Sequence, residues 1–215
     1  MKDELSVLYP WSKGYPENLK VLGKYSPKIF VQGKIINTDC LAVAIVGSRL
    51  MSFYGREITL KFGRFLAAKG ITIVSGLARG IDTQAHLSAL AAGGRTLAVL
   101  GSGLDVIYPP ENKALAQKIA LHGAVISQFE LGGKPLPQNF LLRNKIIAAL
   151  AKAVLVVEGA SRSGTFSIAT HAANLGREVF AVPGPINSQL SQTPNFLIDQ
   201  GARIATRPED ILESL

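Results

Sequence analysis

Short apolar runs in this chain end repeatedly in glycines and small hydroxyls, and that punctuation restricts the fold more than any other feature. Residues 41–46 run into Gly47, Ser48 and Arg49, and residues 71–74 into Ser75 and Gly76. Residues 96–100 run into Gly101, Ser102 and Gly103, and residues 153–157 into Glu158 and Gly159. Each run is rich in β-branched residues and free of charge, the pattern of a parallel strand buried on both faces. In an open α/β sheet, ligands lie outside the carboxyl ends of the strands. Four turns are therefore expected to converge on one edge, rich in N–H donors and poor in bulky side chains. Small residues let the main chain approach a phosphate closely, and the helix N-termini that follow favour negative charge. The pattern predicts an edge that holds an anion.

Helical stretches alternate with these runs. Ile58, Phe62, Phe65 and Leu66 share one helical face closed by Gly70, and residues 82–92 form an alanine-rich stretch stopped by Gly93 and Gly94. Residues 112–121, 139–151 and 164–175 read as helices, residues 124–126 and 178–182 as strands. A short helix near Phe196, a strand over 203–205 and a helix from Pro208 complete the chain. This alternation predicts an α/β fold with a doubly wound, mostly parallel sheet. Residues 1–40 lack the rhythm: residues 15–19 read as a turn opening a short helix, and residues 29–32 as a strand ended by Gly33. They are expected to form an N-terminal extension packing on the sheet edge, with residues 41–215 as the main domain.

The 215 residues suffice for an unaided core, since a domain of that size buries roughly 70% of its unfolded surface. Twenty-three bases against fifteen acids leave a net charge of +8, which biases the partner toward polyanions. Cys40 is the single cysteine, so no intramolecular disulfide forms; it reads as a reduced packing residue. The first residues lack the apolar region of a signal peptide, and no apolar stretch reaches the roughly 18 residues of a membrane span. A soluble, cytoplasmic protein without membrane contact is expected.

Several catalytic chemistries fail at specific positions. The stretch from Gly159 to Gly164 has P-loop glycine spacing, but Thr165 stands where the phosphate-reaching lysine belongs. Gly101 and Gly103 begin a dinucleotide fingerprint that lacks its third glycine and follows the third run instead of the first. His86, His122 and His171 fall on helices or at their ends and read as packing or surface residues. Glu158 is placed like a catalytic carboxylate, yet it reads better as a hydrogen-bonding partner for a neighbouring turn or arginine. No metal or organic cofactor is expected. An edge of hydroxyls, glycines and bases favours binding over turnover.

Residues 134–145 narrow the ligand. Lys134, Phe140, Arg143, Asn144 and Lys145 combine charge, an aromatic ring and an amide, and on a helix from Asn139 the middle three share a face near its start. A base stacked on an aromatic ring contributes about 1–3 kcal/mol without demanding a sequence, and arginine pairs bidentately with phosphate. The same spacing also suits Phe140 and Leu141 opening a buried face with Arg143 and Lys145 in solvent.

These motifs resemble the DNA-processing protein DprA (Smf) family. The likeness is carried by residues 45–49 with Tyr54 and Gly55, residues 75–82 with Ala85 and His86, and Tyr108 and Pro109 with Asn112. It continues through Phe140 with residues 143–147, Glu158 with residues 163–165, and residues 177–184, and begins near Tyr15, Pro16 and Leu19. The resemblance implies an extended Rossmann-like domain that forms a homodimer and binds single-stranded DNA. It further implies a non-catalytic mediator that protects incoming DNA and loads RecA recombinase in natural transformation and recombination. By this resemblance Ser48 and Arg49 contact phosphate, Arg143 and Lys145 supply charge, and Phe140 meets a base. Ser163, Gly164 and Thr165 line the pocket, with Gly47, Ser75, Gly76, Lys134 and Asn144 in the same site. Arg79, Gly80 and Asp82 organise the second turn.

Two departures stand out: Lys145 replaces the family's second arginine and loses planar bidentate geometry, and Ser127 is followed by Gln128, with Glu130 displaced. The length leaves room for neither the helical N-terminal domain nor the winged-helix domain that family members often carry. The alternative is a nucleoside monophosphate phosphoribohydrolase of the lysine-decarboxylase-like (LOG) family. Residues 158–167 lack the double glycine and distal glutamate of that family's signature.

Overall fold

The runs that end in glycine or a small hydroxyl become strands of one sheet, and the helical stretches cross its two faces. The computed structural model describes residues 5–161 and 163–215. In chain order it contains β1 (Leu5–Leu8), β2 (Ile29–Gly33), β3 (Ala42–Val46), α1 (Phe53–Ala68), β4 (Thr72–Ser75), α2 (Ile81–Ala91), β5 (Thr96–Leu100) and α3 (Lys113–His122). There follow β6 (Ala124–Ser127), α4 (Pro137–Leu150), β7 (Ala153–Val156), α5 (Gly164–Asn174), β8 (Glu178–Ala181), α6 (Gln192–Asp199), β9 (Arg203–Ile204) and α7 (Glu209–Leu212). The strand order is β1-β2-β6-β5-β4-β3-β7-β8-β9. Every pair from β6 to β9 is parallel, while β1 and β2 join antiparallel at one edge.

Burial on both faces explains why the strands show no polar alternation. Ala42, Ala44 and Val46 of β3 enter an apolar layer with Ile146 and Ile147 of α4 and Ile168 of α5. Val43 and Ile45 of the same strand face Phe62 and Leu66 of α1 and Ile81 of α2. Each such large side chain contributes about 1.5–3 kcal/mol when fully buried. A third cluster joins Phe30 and Leu100 to Leu115 and Ile119 of α3.

Residues 5–40 contribute two strands to the sheet itself. β2 runs along β6 from Phe30 opposite Ser127 to Gly33 opposite Ala124, and β1 lies outside it. The stretch expected as a short helix is a 3-10 segment, Glu17–Tyr25, whose Leu19 and Leu22 pack in the α4 layer. Asn18 Nδ2 donates to the carbonyls of Cys40 (2.9 Å) and Leu150 (2.7 Å), tying the segment to the start of β3 and the end of α4. Cys40 does not pack: its side chain is exposed. Among the described residues no helix is long and apolar enough to cross a membrane.

From β3 the chain moves through β4 and β5 to β6, then returns across α4 to β7 on the other side of β3. The sheet therefore reverses direction between β3 and β7. At such a switch point the loops leaving the two strands diverge and open a crevice at their carboxyl ends.

Candidate functional site

The crevice is a cleft of about 830 Å³. Gly47, Ser48 and Arg49 leave β3 on one side, Ser163, Gly164 and Thr165 open α5 on the other, and Phe140, Arg143 and Asn144 of α4 form the floor between them. Nine of the residues singled out from sequence thus meet in one place. Ser48 is held from two directions: its Oγ accepts from Leu50 N (3.0 Å) and its carbonyl accepts from Ile81 N (3.1 Å). Ser163 adopts an extended conformation at the start of α5 and makes no side-chain cap bond to that helix. Its hydroxyl lies 3.4 Å from Thr193 Oγ1. Asn144 Nδ2 donates to the Gly164 carbonyl (3.3 Å), fixing α5 to α4.

Arg143 is only 4% exposed. Its Nη1 donates to the carbonyls of Gly76 and of Val99 (2.6 Å), so the guanidinium pins the turn after β4 to β5. Burial lowers its pKa to about 10, with the Asp82 carboxylate opposing the shift, so it keeps its charge at neutral pH. Asp82 is buried too, and desolvation pushes its carboxyl above the usual range. Its Oδ2 accepts from Gly76 N (3.2 Å). Glycine is obligatory at 76, because a Cβ there would stand 2.1 Å from Arg143 Nη1. Gly80 is equally fixed: its φ is +72°, and a Cβ would lie 2.2 Å from the Ser48 carbonyl. Leu77 between them has φ +58°, a conformation non-glycine residues rarely take. The second turn is thus a tightly organised support for the first.

Phe140 lies against Gly101, where a Cβ would come within 2.7 Å of the ring. Tyr108 packs on it at 5.8 Å, and the guanidinium carbons of Arg49 and Arg143 lie 5.5 and 5.7 Å from its centroid. Arg49 is exposed, so a solvated cation and a half-buried ring stand together at the mouth.

Four expected site residues lie elsewhere. Ser75 is fully buried and its Oγ donates to the Ile45 carbonyl (2.7 Å), so the DNA contact expected of it gives way to a tie between β4 and β3. Gly76 is buried in the support beneath the cleft and lines a small hollow beside it with Arg49, Ala78, Tyr108 and Phe140. Lys134 is exposed ahead of α4, where its carbonyl accepts from Asn139 Nδ2 (2.9 Å). Lys145 sits on the flank of α4, its Nζ 5.1 Å from the Tyr25 ring. Tyr108 and Ala78 belong to motifs visible in the sequence but are not among the expected site residues, and with Gln189 and Leu190 they also line the cleft. The Tyr-Pro pair closing a glycine-rich turn is the available signal for Tyr108, and the turn from Ser75 to Gly80 the one for Ala78; Gln189 and Leu190 carry none.

Glu158 takes the supporting role. Its carboxylate accepts from the Ser52 hydroxyl and from Ser52 N (3.0 Å), and Ser52 in turn caps α1 by accepting from Gly55 N. His86 is fully buried, and Arg79 is exposed in an ion pair with Glu111. Among the described residues no group of histidines, cysteines and carboxylates would hold a metal ion.

A family model described as DNA recombination-mediator protein A matches residues 6–215. Protein Smf of Escherichia coli K12 is 46% identical over 205 residues, 95% of this chain and 55% of that protein. The chain thus spans little more than half the length of that relative. The X-ray structure of DNA processing protein A from Streptococcus pneumoniae superposes with a TM-score of 0.89 at 39% identity, covering 98% of this chain and 74% of that one. DNA processing protein A from Helicobacter pylori, solved for its single-stranded DNA binding mode, gives 0.87 at 28% identity over 99% and 96% of the two chains.

Proposed function

The chain belongs to the DNA recombination-mediator protein A family, and from that premise we propose that it holds single-stranded DNA in the cleft between β3 and β7. The observation that carries the reading is the pairing of exposed Arg49 with Phe140 at the mouth, 5.5 Å apart. Arg49 and Ser48 take a phosphate, and Phe140 offers its ring to the adjoining base. Gly164 and Thr165 present the first N–H groups of α5 to a second phosphate beside the Ser163 hydroxyl, where the helix dipole adds to the attraction. Arg143 contributes a buried positive field from below. Nothing in this arrangement reads base edges, so binding is indifferent to sequence.

The protein is a mediator in this reading, not an enzyme: it shields the strand and passes it to RecA in the cytoplasm. The clamping of Glu158 by Ser52 supports that assignment over the phosphoribohydrolase alternative, since the carboxylate is occupied in holding Ser52, the residue that caps α1. A homodimer is supported by exposed apolar side chains in the C-terminal part of the chain: Phe166 and Phe196, whose rings pack at 5.8 Å, and Ile186, which is 98% exposed.

Binding of a labelled single-stranded oligonucleotide, against duplex of equal length across a salt series, tests the reading. Tight, salt-sensitive preference for the single strand is expected. Equal affinity for both, together with release of free base from nucleoside monophosphates, transfers the assignment to the enzyme.

A further inference from the structure

Beyond the cleft, the N-terminal segment carries exposed aromatic rings interleaved with lysines. Tyr25 ends the 3-10 segment and is 67% exposed. Two ammonium groups converge on its ring, Lys24 Nζ at 5.2 Å and Lys145 Nζ at 5.1 Å from the centroid. Their neighbours are neutralised, Lys20 by Glu17 and Lys28 by Glu130, but among the described residues Lys24 and Lys145 pair with no carboxylate. Two like charges gathered on one ring without a counterion form a site of positive potential. His171 on α5 feels it: burial first, and the Lys145 charge second, hold its imidazole below the ordinary range.

This patch begins where the cleft ends. Leu141 and Asn144 line the cleft, and Lys145 lies one turn along α4 from Leu141, a rise of about 6 Å. From Tyr25 the strip continues to the sheet edge. The pairings Leu8 with Ile29 and Phe30 with Ser127 bring the end of β1 and the start of β2 to the side from which β6 leads into the cleft. There Lys28 lies near Tyr9, and Tyr9 stacks on Trp11 at 5.1 Å with 17° between the planes. Trp11 is 82% exposed, an unusual placement for so large an apolar ring.

Rings alternating with cations match a single strand, whose bases stack while its phosphates meet the ammonium groups. Building on the DNA-binding reading above, we propose that a strand held in the cleft runs out along α4 onto Tyr25 between Lys24 and Lys145 and on to the Tyr9–Trp11 stack. The N-terminal segment is then the second half of the DNA track.

Trp11 is the chain's single tryptophan, so its emission reports this end of the track alone. Oligothymidylates of about 5 and about 20 nucleotides bracket the site sizes of single-strand grooves. The longer one is expected to quench Trp11 on binding, and the shorter one to bind the cleft without quenching. Tyr25→Ala is expected to weaken the longer oligonucleotide about five- to 150-fold, the loss of one base stack. The same variant leaves the shorter one unaffected, and Tyr25→Phe restores affinity. Phe140→Ala weakens both. Longer DNA that binds without quenching Trp11, or binds Tyr25→Ala undiminished, overturns the track while leaving the cleft reading intact. Failure of both oligonucleotides to bind overturns the cleft reading and the track together. Trp11 emission that shifts with protein concentration in the absence of DNA assigns the stack to a second copy of this chain instead.

Discussion

Arg49 and Phe140 divide the work of binding in a way that two substitutions separate. Arg49→Ala removes a phosphate contact, so its salt dependence on single strands should flatten by about 0.7 in log–log slope. Phe140→Ala should cost about 1–3 kcal/mol of affinity with the slope unchanged; a fall in slope would mean the ring shapes the cleft instead of stacking. His86 carries a different test. Its Nδ1 meets Thr96 Oγ1 at 2.7 Å, and that hydroxyl already donates to the Ile73 carbonyl, so Nδ1 bears the proton and Nε2 is left bare. Burial, reinforced by the Arg143 charge, lowers its pKa to about 3. Below its unfolded value near 6.5 the unfolded chain takes up a proton that the folded one refuses, so this stability is present at neutral pH and lost as pH falls. Between pH 7.5 and pH 5 the wild type should lose about 2 kcal/mol more than His86→Gln in denaturant unfolding; parallel losses would refute the assignment. The place of Arg49 and Phe140 in the cleft and the packing of His86 were legible in sequence. Arg143 and Ser75 read as binding groups because a cation on an amphipathic helix and a hydroxyl at a strand end belong to solvent by default. Their burial depends on carbonyls from Gly76, Val99 and Ile45, which no local pattern displays.

At the scale of the element, the glycine turns matter more than the helices they join. Gly76 and Gly164 both stand in the expected site, but their surroundings differ. Gly76→Ala drives a methyl group against Arg143 and Asp82, and should cost about 3 kcal/mol or more of unfolding free energy. At Gly164 the nearest atom to an added Cβ is Asn144 Nδ2 at 3.9 Å, so Gly164→Ala should fold normally. Loss of DNA affinity in that variant then reports how closely a phosphate approaches α5, and urea titration beside a binding isotherm distinguishes the two variants. The parallel strands and the helices between them were legible because unbroken β-branched runs admit little else at that length. β1 was not: Leu5, Ser6, Val7 and Leu8 form a four-residue edge strand with one β-branched residue and no glycine directly at its end, and its existence depends on pairing with β2. The 3-10 segment escaped for a related reason, since Gly23, at φ +57° and ψ −128°, breaks the helical period that residues 15–19 announce.

For the molecule as a whole, the decisive relation is between the N-terminal forty residues and the sheet. An extension that only packed on the sheet edge would be removable. The packing argues otherwise, because β2 supplies the antiparallel partner that covers β6, and Leu19, Leu22, Ile29, Phe30 and Val31 are buried in the layers beneath α4 and α3. At about 1.5–3 kcal/mol each, five such side chains match the 5–15 kcal/mol that holds a typical domain folded. Their removal also bares β6 as an unpaired edge, the surface along which strands associate between chains. Asp39 adds to the cost: it is buried between Thr72 and Arg95, so deleting it leaves the partly buried Arg95 without its carboxylate. A chain beginning at Leu41 is therefore expected to lose cooperative thermal unfolding and to aggregate, by calorimetry and light scattering. A sharp transition at the full-length midpoint would mean instead that the parallel sheet stands alone and that the N-terminal strands serve only the ligand.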